Sequence, residues 1–423
     1  MDRREAFRSL AALSGAWLSV NGLESTEALA LPSTPERDDD ESYWYRLRWQ
    51  FLIPPDQAFF NTGTLGASPK VVVDTVTRHL LFVEEHLTEW DYSQEKPELL
   101  AGYRPEETLR QKIADFIHCD LDEVGLTLNA TMGMNFLANG IDLEPGDEVL
   151  MTDREHGGGR CGWDVKAKRY GTVVKEVQIP DVLTDPDDIV KAFESAITAR
   201  TKVMTFPHIT SGQGIILPAK RLVALARERN IFSVVDGAQA VGQIRVDVRD
   251  IGSDAYFFSP HKWLLAPKGT GVLYIRREEQ ERIWPTLASY QWDNHEDGMY
   301  RFMQYGTHNQ SLLRGLEAAI DFMNQVGPER VETRIRNLGS YLRQGLSEIP
   351  RVTIRTPTHP DLAAGITRYG IEGLEGTKLQ DELWNRKRIR VRGAPLVRQS
   401  CHIYNDFTQL DETLAVVRDL AQG

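Results

Sequence analysis

An acid and a lysine near the middle of the chain have the types and the spacing that covalent amine chemistry needs. The apolar run 231–235 predicts a buried strand that ends on the carboxylate of Asp236, and a second run, 255–258, leads into a polar turn that carries Lys262. A desolvated lysine can attack a carbonyl, and a buried acid beside it can hold a proton. Each residue alone is more often a turn former or a solvated surface charge, so the inference rests on their joint placement.

This pair meets the needs of pyridoxal 5′-phosphate (PLP), whose aldehyde forms a Schiff base with a lysine and whose ring nitrogen is kept protonated by an acid. The stretches VVDGAQAVGQ (234–243) and YFFSPHKWLLAPKGTGVLY (256–274) resemble the cofactor signature of the aminotransferase class V family. Within it, HKWLLAPKGTG is most similar to the isopenicillin N epimerase-like branch, and the cysteine desulfurases are related. The resemblance covers residue 56 to the C-terminus and implies a PLP-dependent enzyme.

The order of the predicted elements indicates an α/β protein. From residue 124 onward, strands alternate with helices, which is the pattern of a mainly parallel sheet. The candidate strands of this part are 125–128, 148–152, 172–177, 202–206, 231–235 and 255–258, with 271–275 as an antiparallel member. A long helix, 328–349, leads to a smaller α+β part with strands 352–355, 388–392 and 396–400. The resemblance implies PLP fold-type I, with a large PLP-binding domain at 56–325 and a small C-terminal domain at 326–423.

Composition places the 423-residue chain among ordinary globular proteins, with 41% hydrophobic and 26% charged residues. The net charge of −12 and the lack of a basic stripe argue against nucleic acid as a partner. The cysteines, Cys119, Cys161 and Cys401, are too few and too scattered for a disulfide framework or a zinc site, so no metal is expected. No apolar stretch approaches the ~20 residues of a membrane span.

The N-terminal residues 1–30 have the layout of a signal peptide. The pair Arg3 and Arg4 precedes a modest apolar stretch, and Ala28-Leu29-Ala30 offers a small-residue cleavage site. The paired arginines resemble a twin-arginine signal, which directs the export of folded proteins. Phe7 lies one position later than the phenylalanine of the usual RRxF pattern. Residues 31–55 are then a polar linker or arm. We expect a periplasmic enzyme; the alternative is a short amphipathic helix on a cytoplasmic one.

The family resemblance assigns the cofactor contacts to strand ends. The turn 129–133 ends one strand and opens a helix, where free N–H groups suit a phosphate, and a plain helix cap is the alternative. His156, in the glycine-rich loop EHGGG, is expected to stack on the pyridine ring rather than serve as an ordinary loop residue. Lys262, His156 and Asp236 are the expected catalytic residues. The expected cofactor contacts are Ala130, Thr131, Ser259 and His261 to the phosphate, Asp236 to the ring nitrogen, Gln239 to the phenolic oxygen, His156 to the ring face and Lys262 to the aldehyde carbon.

A later segment, FMQYGTHNQ (302–310), resembles the glycine–threonine turn of the family. In that turn, Thr307 reaches the phosphate bound by the partner subunit. A helix cap is the simpler interpretation, since 311–323 is helical in pattern. The resemblance implies a homodimer with shared active sites and a large isologous interface.

The substrate side of the site is expected to involve an arginine. LVRQSCHIYN (396–405) resembles the small-domain segment in which Arg398 binds the substrate α-carboxylate, and a planar guanidinium can grip a carboxylate with two hydrogen bonds. Asn61 and Thr64 are expected to approach the substrate through a glycine-permitted turn. Arg390 and Arg392 alternate along one strand face, where they bind a second acidic group or are solvated. The partner is therefore a small-molecule amino acid.

The short segment before Arg398 limits the reactions that the enzyme can catalyse. A cysteine desulfurase needs a nucleophilic cysteine on a mobile loop there, and only GAP (393–395) separates the two short strands. Epimerase-like or C–S lyase-like chemistry at Cα or Cβ of an amino acid is therefore favoured, with transamination as the alternative. Desulfuration and a non-catalytic PLP-binding protein are less favoured, the latter because Asp236, Lys262 and Arg398 are all present.

Residues 1–35 fused to a reporter are expected to deliver it to the periplasm only in cells with a working twin-arginine pathway, because that pathway reads the paired arginines as an address. Reporter activity in separated periplasmic and cytoplasmic fractions measures this. The same fusion with Arg3 and Arg4 replaced by lysine is the control and should stay in the cytoplasm. Cytoplasmic retention of the unmodified fusion contradicts export.

Overall fold

The computed structural model describes residues 31–32, 40–91, 106–180, 183 and 185–423. The predicted signal peptide, 1–30, lies outside the described residues and stays a prediction. The described helices are Glu41–Arg48 (α1), Lys70–Glu85 (α2), Glu107–Ile117 (α3), Ala130–Gly140 (α4), Gly157–Tyr170 (α5), Pro186–Ala196 (α6), Ala219–Glu228 (α7), Val248–Ile251 (α8), Tyr300–Met303 (α9), Gln310–Val326 (α10), Pro328–Ser347 (α11), Gly376–Lys387 (α12) and Phe407–Gln422 (α13). None of them has the length and hydropathy that crossing a bilayer requires.

The described strands alternate with these helices over much of the chain. They are Ala58–Phe59 (β1), Val124–Thr127 (β2), Glu148–Thr152 (β3), Val173–Val177 (β4), Thr201–Pro207 (β5), Phe232–Asp236 (β6), Ala255–Phe258 (β7), Gly271–Ile275 (β8), Val352–Ile354 (β9), Ile366–Ile371 (β10), Ile389–Arg390 (β11) and Val397–Ser400 (β12). This order confirms the predicted α/β fold class.

Seven strands in the described part of the chain form the central sheet, in the order β2-β8-β7-β6-β5-β3-β4. Strands β4, β3, β5, β6 and β7 pair in parallel, and β8 pairs antiparallel with both β7 and β2. The predicted antiparallel position of 271–275 is therefore confirmed. Because β8 reverses direction between them, β2 and β7 run the same way. The carboxyl ends of β2, β3, β5, β6 and β7 meet at one edge, where open α/β sheets bind ligands.

The central strands β6 and β7 are buried along their whole length because helices cover both faces of the sheet. Successive side chains of a strand point to opposite faces. Tyr256 and Phe258 accordingly join one apolar core with residues of α7, whereas Ala255 and Phe257 join another with residues of α4. Continuous apolar runs such as 255–258 are typical of strands covered on both sides.

The C-terminal part has its own antiparallel sheet, ordered β12-β10-β9, with residues of α11, α12 and α13 in its core. The predicted strand 388–392 is shorter than expected. Ile389–Arg390 pairs in parallel with β1, whereas Arg392 forms a bridge with Arg398 on β12. A further bridge joins Asn61 to β12. The segment after β1 therefore lies against the strand that carries Arg398.

Part of the segment predicted as a linker or arm, 31–55, is a helix that packs onto the protein. In α1, Trp44 and Leu47 are buried. The buried guanidinium of Arg334 binds the Glu41 carboxylate, with 2.9 Å between Nη2 and Oε2. Charged residues on the outer side of α1 make the segment look polar in sequence, although its inner side is apolar.

Candidate active site

Neighbouring strands place Asp236 and Lys262 at the same edge of the sheet. Asp236 is the last residue of β6 and is 7% exposed, and Lys262 lies in the polar turn that follows β7. Both line a cavity of about 250 Å³. The cavity wall also includes the other cofactor residues predicted for this subunit, namely Ala130, Thr131, His156, Gln239, Ser259 and His261.

Burial dominates the electrostatics of this pair. It lowers the pKa of Lys262, an effect that the charge of Asp236 opposes and that of Arg398 reinforces. It also raises the pKa of Asp236, against the opposing effects of the Ala238 N–H, 2.8 Å from Oδ1, and of Lys262. Because desolvation outweighs attraction for both groups, the lysine is shifted towards its neutral amine.

The start of α4 forms one end of the cavity. The Ala130 N–H donates to the Ser259 hydroxyl at 2.9 Å, and Asn129 caps the helix by accepting from the Met132 N–H at 2.9 Å. Nδ1 of His261 is buried and has no hydrogen-bond partner among the described residues, and burial lowers the pKa of this ring to about 4. The positive end of the helix dipole and the Ser259 hydroxyl suit an anion at this place. The neutral His261 ring hydrogen-bonds the Thr270 backbone, which leaves Nδ1 as an acceptor.

His156 is the N-cap of α5, and its Nδ1 accepts from the Gly158 N–H at 3.0 Å. The neutral ring therefore carries its proton on Nε2. Burial and the charge of Lys262 lower the pKa of His156, which favours this neutral form. A Cβ atom on Gly159 would lie 2.8 Å from Oδ2 of Asp236. Gly159 therefore permits close approach to the acid, a role that the sequence did not reveal.

Glu155 is a half-buried acid that sequence reasoning did not select. Its Oε1 accepts hydrogen bonds from the Thr152 hydroxyl at 2.7 Å and from the Thr152 N–H at 3.2 Å. Burial raises the pKa of Glu155 to about 8, and the charge of Asp236 adds to the rise. At neutral pH this carboxyl is mainly protonated, so it places little negative charge beside Asp236. The sequence signal that could have identified Glu155 is its position directly before His156.

Arg398 is brought together with Asn61 and Thr64. The guanidinium is 2% exposed, and its Nη2 donates to Asn61 Oδ1 at 3.0 Å and to Thr64 Oγ1 at 2.5 Å. Its Nη1 donates at 2.9 Å to the carbonyl of Ser211, which lines the cavity. Nε of Arg398 and the hydroxyl of Ser400 are buried without hydrogen-bond partners among the described residues. This arrangement leaves donors beside the cavity for a carboxylate.

Gln239 is held in place by the protein itself. Its Nε2 donates to the Gly63 carbonyl at 2.8 Å and its Oε1 accepts from Trp263 Nε1 at 2.7 Å. The second Nε2 proton is left for another acceptor, which agrees with the predicted contact to a phenolic oxygen. His208, in contrast, lies within 3.0 Å of the Tyr256 hydroxyl, and burial lowers its pKa to about 4, so it is a neutral structural residue.

Thr307 does not line the cavity of its own chain. It is exposed on the turn before α10. The cap of that helix is Asn309, whose Oδ1 accepts from the Ser311 N–H at 3.0 Å. The helix-cap interpretation therefore applies to Asn309, and the contact of Thr307 with a partner-bound phosphate stays a prediction.

A PLP-dependent enzyme of fold-type I is the class that this fold and site define. The family model for Aminotransferase class-V matches residues 94–416, and the chain belongs to that family. The isopenicillin N epimerase of Amycolatopsis lactamdurans is 31% identical over 402 residues, which cover 90% of this chain and 99% of that protein. A probable cysteine desulfurase of Pyrococcus abyssi is 27% identical over 402 residues, with 89% and 97% covered.

Solved structures share the fold. A mutant of C-DES with glycine covalently linked to its PLP cofactor superposes with a TM-score of 0.79 at 24% identity, covering 88% of this chain and 99% of that one. The complex of the cystine C–S lyase C-DES with cysteine persulfide gives a TM-score of 0.77 at 24% identity, covering 86% and 98%. These likenesses support the assignment of fold-type I.

The residues around the cavity fit PLP. The start of α4 and the Ser259 hydroxyl would hold the phosphate, and the Asp236 carboxylate would bind the ring nitrogen. The contact of His261 with the phosphate stays a prediction. Lys262 would hold the cofactor through Nζ. When bound, PLP withdraws electrons from an attached amino acid and so weakens the bonds to its Cα.

The side chains of this protein would then orient the substrate and move its protons. Arg398 would bind the α-carboxylate and so fix the position of Cα relative to Lys262. Nζ of Lys262, shifted towards the neutral amine by burial, would accept the Cα proton and return it. His156, as a neutral ring, would pack against the cofactor without adding positive charge next to Lys262.

Replacing Lys262 with alanine is expected to abolish the visible absorbance of bound cofactor that borohydride treatment removes, because no other amine would hold PLP at this position. Absorbance spectra before and after borohydride measure this. Lys268→Ala is the matched control, since Nζ of Lys268 donates to the Gly66 carbonyl at 2.8 Å and does not line the cavity. A borohydride-sensitive band in the Lys262 variant would refute the assignment.

Gly159→Ala is expected to weaken PLP binding by about tenfold or more, equivalent to about 1.4 kcal/mol, because the new Cβ would displace the Asp236 carboxylate. Fluorescence or absorbance titration of the apoenzyme with PLP measures this. Gly157→Ala is the control, since its Cβ would come no closer than 3.9 Å, to Cys161 Sγ. Equal PLP affinities of the two variants contradict the close-approach role of Gly159.

Proposed function

We propose that this enzyme acts at Cα of an amino acid with epimerase-like chemistry. The observation that carries the proposal is the placement of Lys262 beside Arg398, since the arginine charge acts on the lysine and its Nη1 binds the cavity-lining Ser211. A carboxylate held at Arg398 would put an amino acid within reach of a base with a lowered pKa. His156 lines the same cavity as a second group able to exchange protons.

The relatives support this choice of reaction. Isopenicillin N epimerases from two organisms are 31% and 30% identical to this chain and are matched along nearly their whole length. An epimerase must remove and return the Cα proton, and this requires a base that is neutral at working pH. Burial lowers the pKa of Lys262 and so moves the amine towards that neutral form. The reaction rate should fall as pH drops through this pKa.

C–S lyase-like elimination is the second candidate. Relatives named cysteine desulfurase cover most of this chain at 27% to 28% identity, and their name refers to removal of sulfur from cysteine. Elimination needs the same Cα proton transfer and no thiol of the protein. Transamination, which moves the proton to the cofactor, remains the further alternative.

The described cysteines argue against a persulfide mechanism. Cys401 is buried on the segment after β12, and burial raises its pKa, which disfavours the reactive thiolate. Burial also raises the pKa of Cys119. Cys161 is exposed but belongs to the regular helix α5. None of the three stands in the short connection 393–395 that precedes the carboxylate arginine.

We further propose a homodimer with shared active sites and export of the folded enzyme to the periplasm. The exposed Thr307, outside its own cavity, supports the first proposal, and the paired arginines of the N-terminus support the second. Light scattering that finds a fully active monomer would overturn the shared site.

Incubation of the holoenzyme with a library of amino acids in D2O tests the reaction. Epimerisation is expected to place deuterium at Cα of both enantiomers, and Lys262→Ala should abolish this exchange. Released sulfide or pyruvate would instead establish elimination, and conversion of the cofactor to its amine form would establish transamination. A holoenzyme with normal cofactor absorbance that exchanges no Cα proton from any amino acid would refute enzymatic action at Cα.

A further inference from the structure

Three arginines form a row beside the cavity. Arg398 on β12 is the direct cross-strand partner of Arg368 on β10, and on its other side it forms a bridge with Arg392. The bridge has two backbone hydrogen bonds, of 3.2 Å and 2.7 Å. Directly opposed residues of antiparallel strands project to the same face, roughly 5 Å apart. The three guanidinium groups therefore share one face of the small sheet.

The row has no acidic partner within the described part of the chain. Among the residues that the structure describes, no carboxylate lies within ion-pair distance of Arg368, Arg392 or Arg398. The positive charges act on one another instead. Burial lowers the pKa of Arg398 to about 10, and the charges of Arg392 and Arg368 lower it further. Burial and then Arg392 likewise lower the pKa of Arg368. A buried charge without a counter-charge, here that of Arg398, is unfavourable. An anion bound at this face would therefore be stabilised.

Arg390 lies outside this row and has different surroundings from its members. Arg390, two positions before Arg392, lies over the Trp384 ring with its guanidinium carbon 4.3 Å from the ring centre. Within the row, Arg368 has a long contact of 3.4 Å to the Gly212 carbonyl. Arg392 is exposed, and no side-chain hydrogen bond to another described residue engages it. Burial lowers the pKa of His156, and the charge of Arg392 adds to this effect. The Arg390 guanidinium is therefore engaged by an aromatic ring, whereas Arg392 is open to either of its predicted alternatives, an acidic group or solvent.

We propose that the substrate carries a second anionic group on its side chain and that Arg392 binds it, with Arg368 adding to the positive field. This inference rests on the proposed function, since it takes Arg398 as the site of the α-carboxylate. The substrate class is then an acidic α-amino acid whose side chain ends in a carboxylate, sulfinate or sulfonate.

Binding of charged and neutral isosteres to the holoenzyme tests this proposal. Glutamate is compared with glutamine, aspartate with asparagine, and 2-aminoadipate with its amide, by calorimetry and by the change in cofactor absorbance. At least one acid is expected to bind about tenfold or more tightly than its amide, as a charge-assisted hydrogen bond allows. Arg392→Gln should reduce that ratio to about one, Arg392→Lys should restore part of it, and Arg368→Gln should lower it less.

Arg390→Gln is the matched control and should keep the wild-type ratio. Equal affinity of the wild-type enzyme for every acid and its amide overturns the proposal, as does an Arg392→Gln variant with an unchanged ratio. Cα deuterium exchange is measured in parallel on the same samples. A preserved acid preference without exchange refutes the proposed function and leaves the anion site standing, whereas exchange without acid preference refutes the anion site alone.

Discussion

Removal of the Lys262 amine from water, opposite the buried carboxylate of Asp236, is the constraint on which the rest of the structure depends. A lysine in water would be protonated and inert at neutral pH, and a carboxylate in water would not hold a proton for a ring nitrogen. Two parallel strands that end side by side, covered by helices on both faces, create the dry edge that shifts both groups. Gly159 in α5 leaves room for the Asp236 carboxylate. Glu155 is mainly protonated and so adds little charge beside it.

The residues that face the cofactor and the residue that would bind the substrate carboxylate lie on two different sheets. The large sheet presents the cofactor groups, whereas β12 of the small sheet carries Arg398. The segment after β1 contributes Asn61 and Thr64, which hydrogen-bond the arginine and so set its position relative to the lysine. The distance between base and bound carboxylate therefore depends on how β12 lies against that segment. This connection explains why polar residues near the chain start and near its end serve one site.

Much of the fold was predictable because buried strands of a parallel sheet are continuous apolar runs, and Asp236 and Lys262 follow two of them directly. The joint placement of Arg398, Asn61 and Thr64 came from the family resemblance, not from any local pattern. Glu155, the tight approach at Gly159 and the different surroundings of Arg390 and Arg392 were not predictable. Each depends on how the chain packs around the residue in three dimensions, and α1 was not predicted because its outer face is charged.

The pairing of Arg398 with Asn61 also constrains the order of folding. The two residues lie 337 positions apart, so the contact closes a loop that includes nearly the whole large domain, and such long-range contacts form late. The lysine, the acid and the helix start that suit PLP lie within a much shorter stretch, 129–262, which emerges before Arg398 during synthesis. The cofactor groups of one subunit can thus come together before its substrate arginine is in position, so the part of the site that recognises the amino acid forms after the part that faces the cofactor.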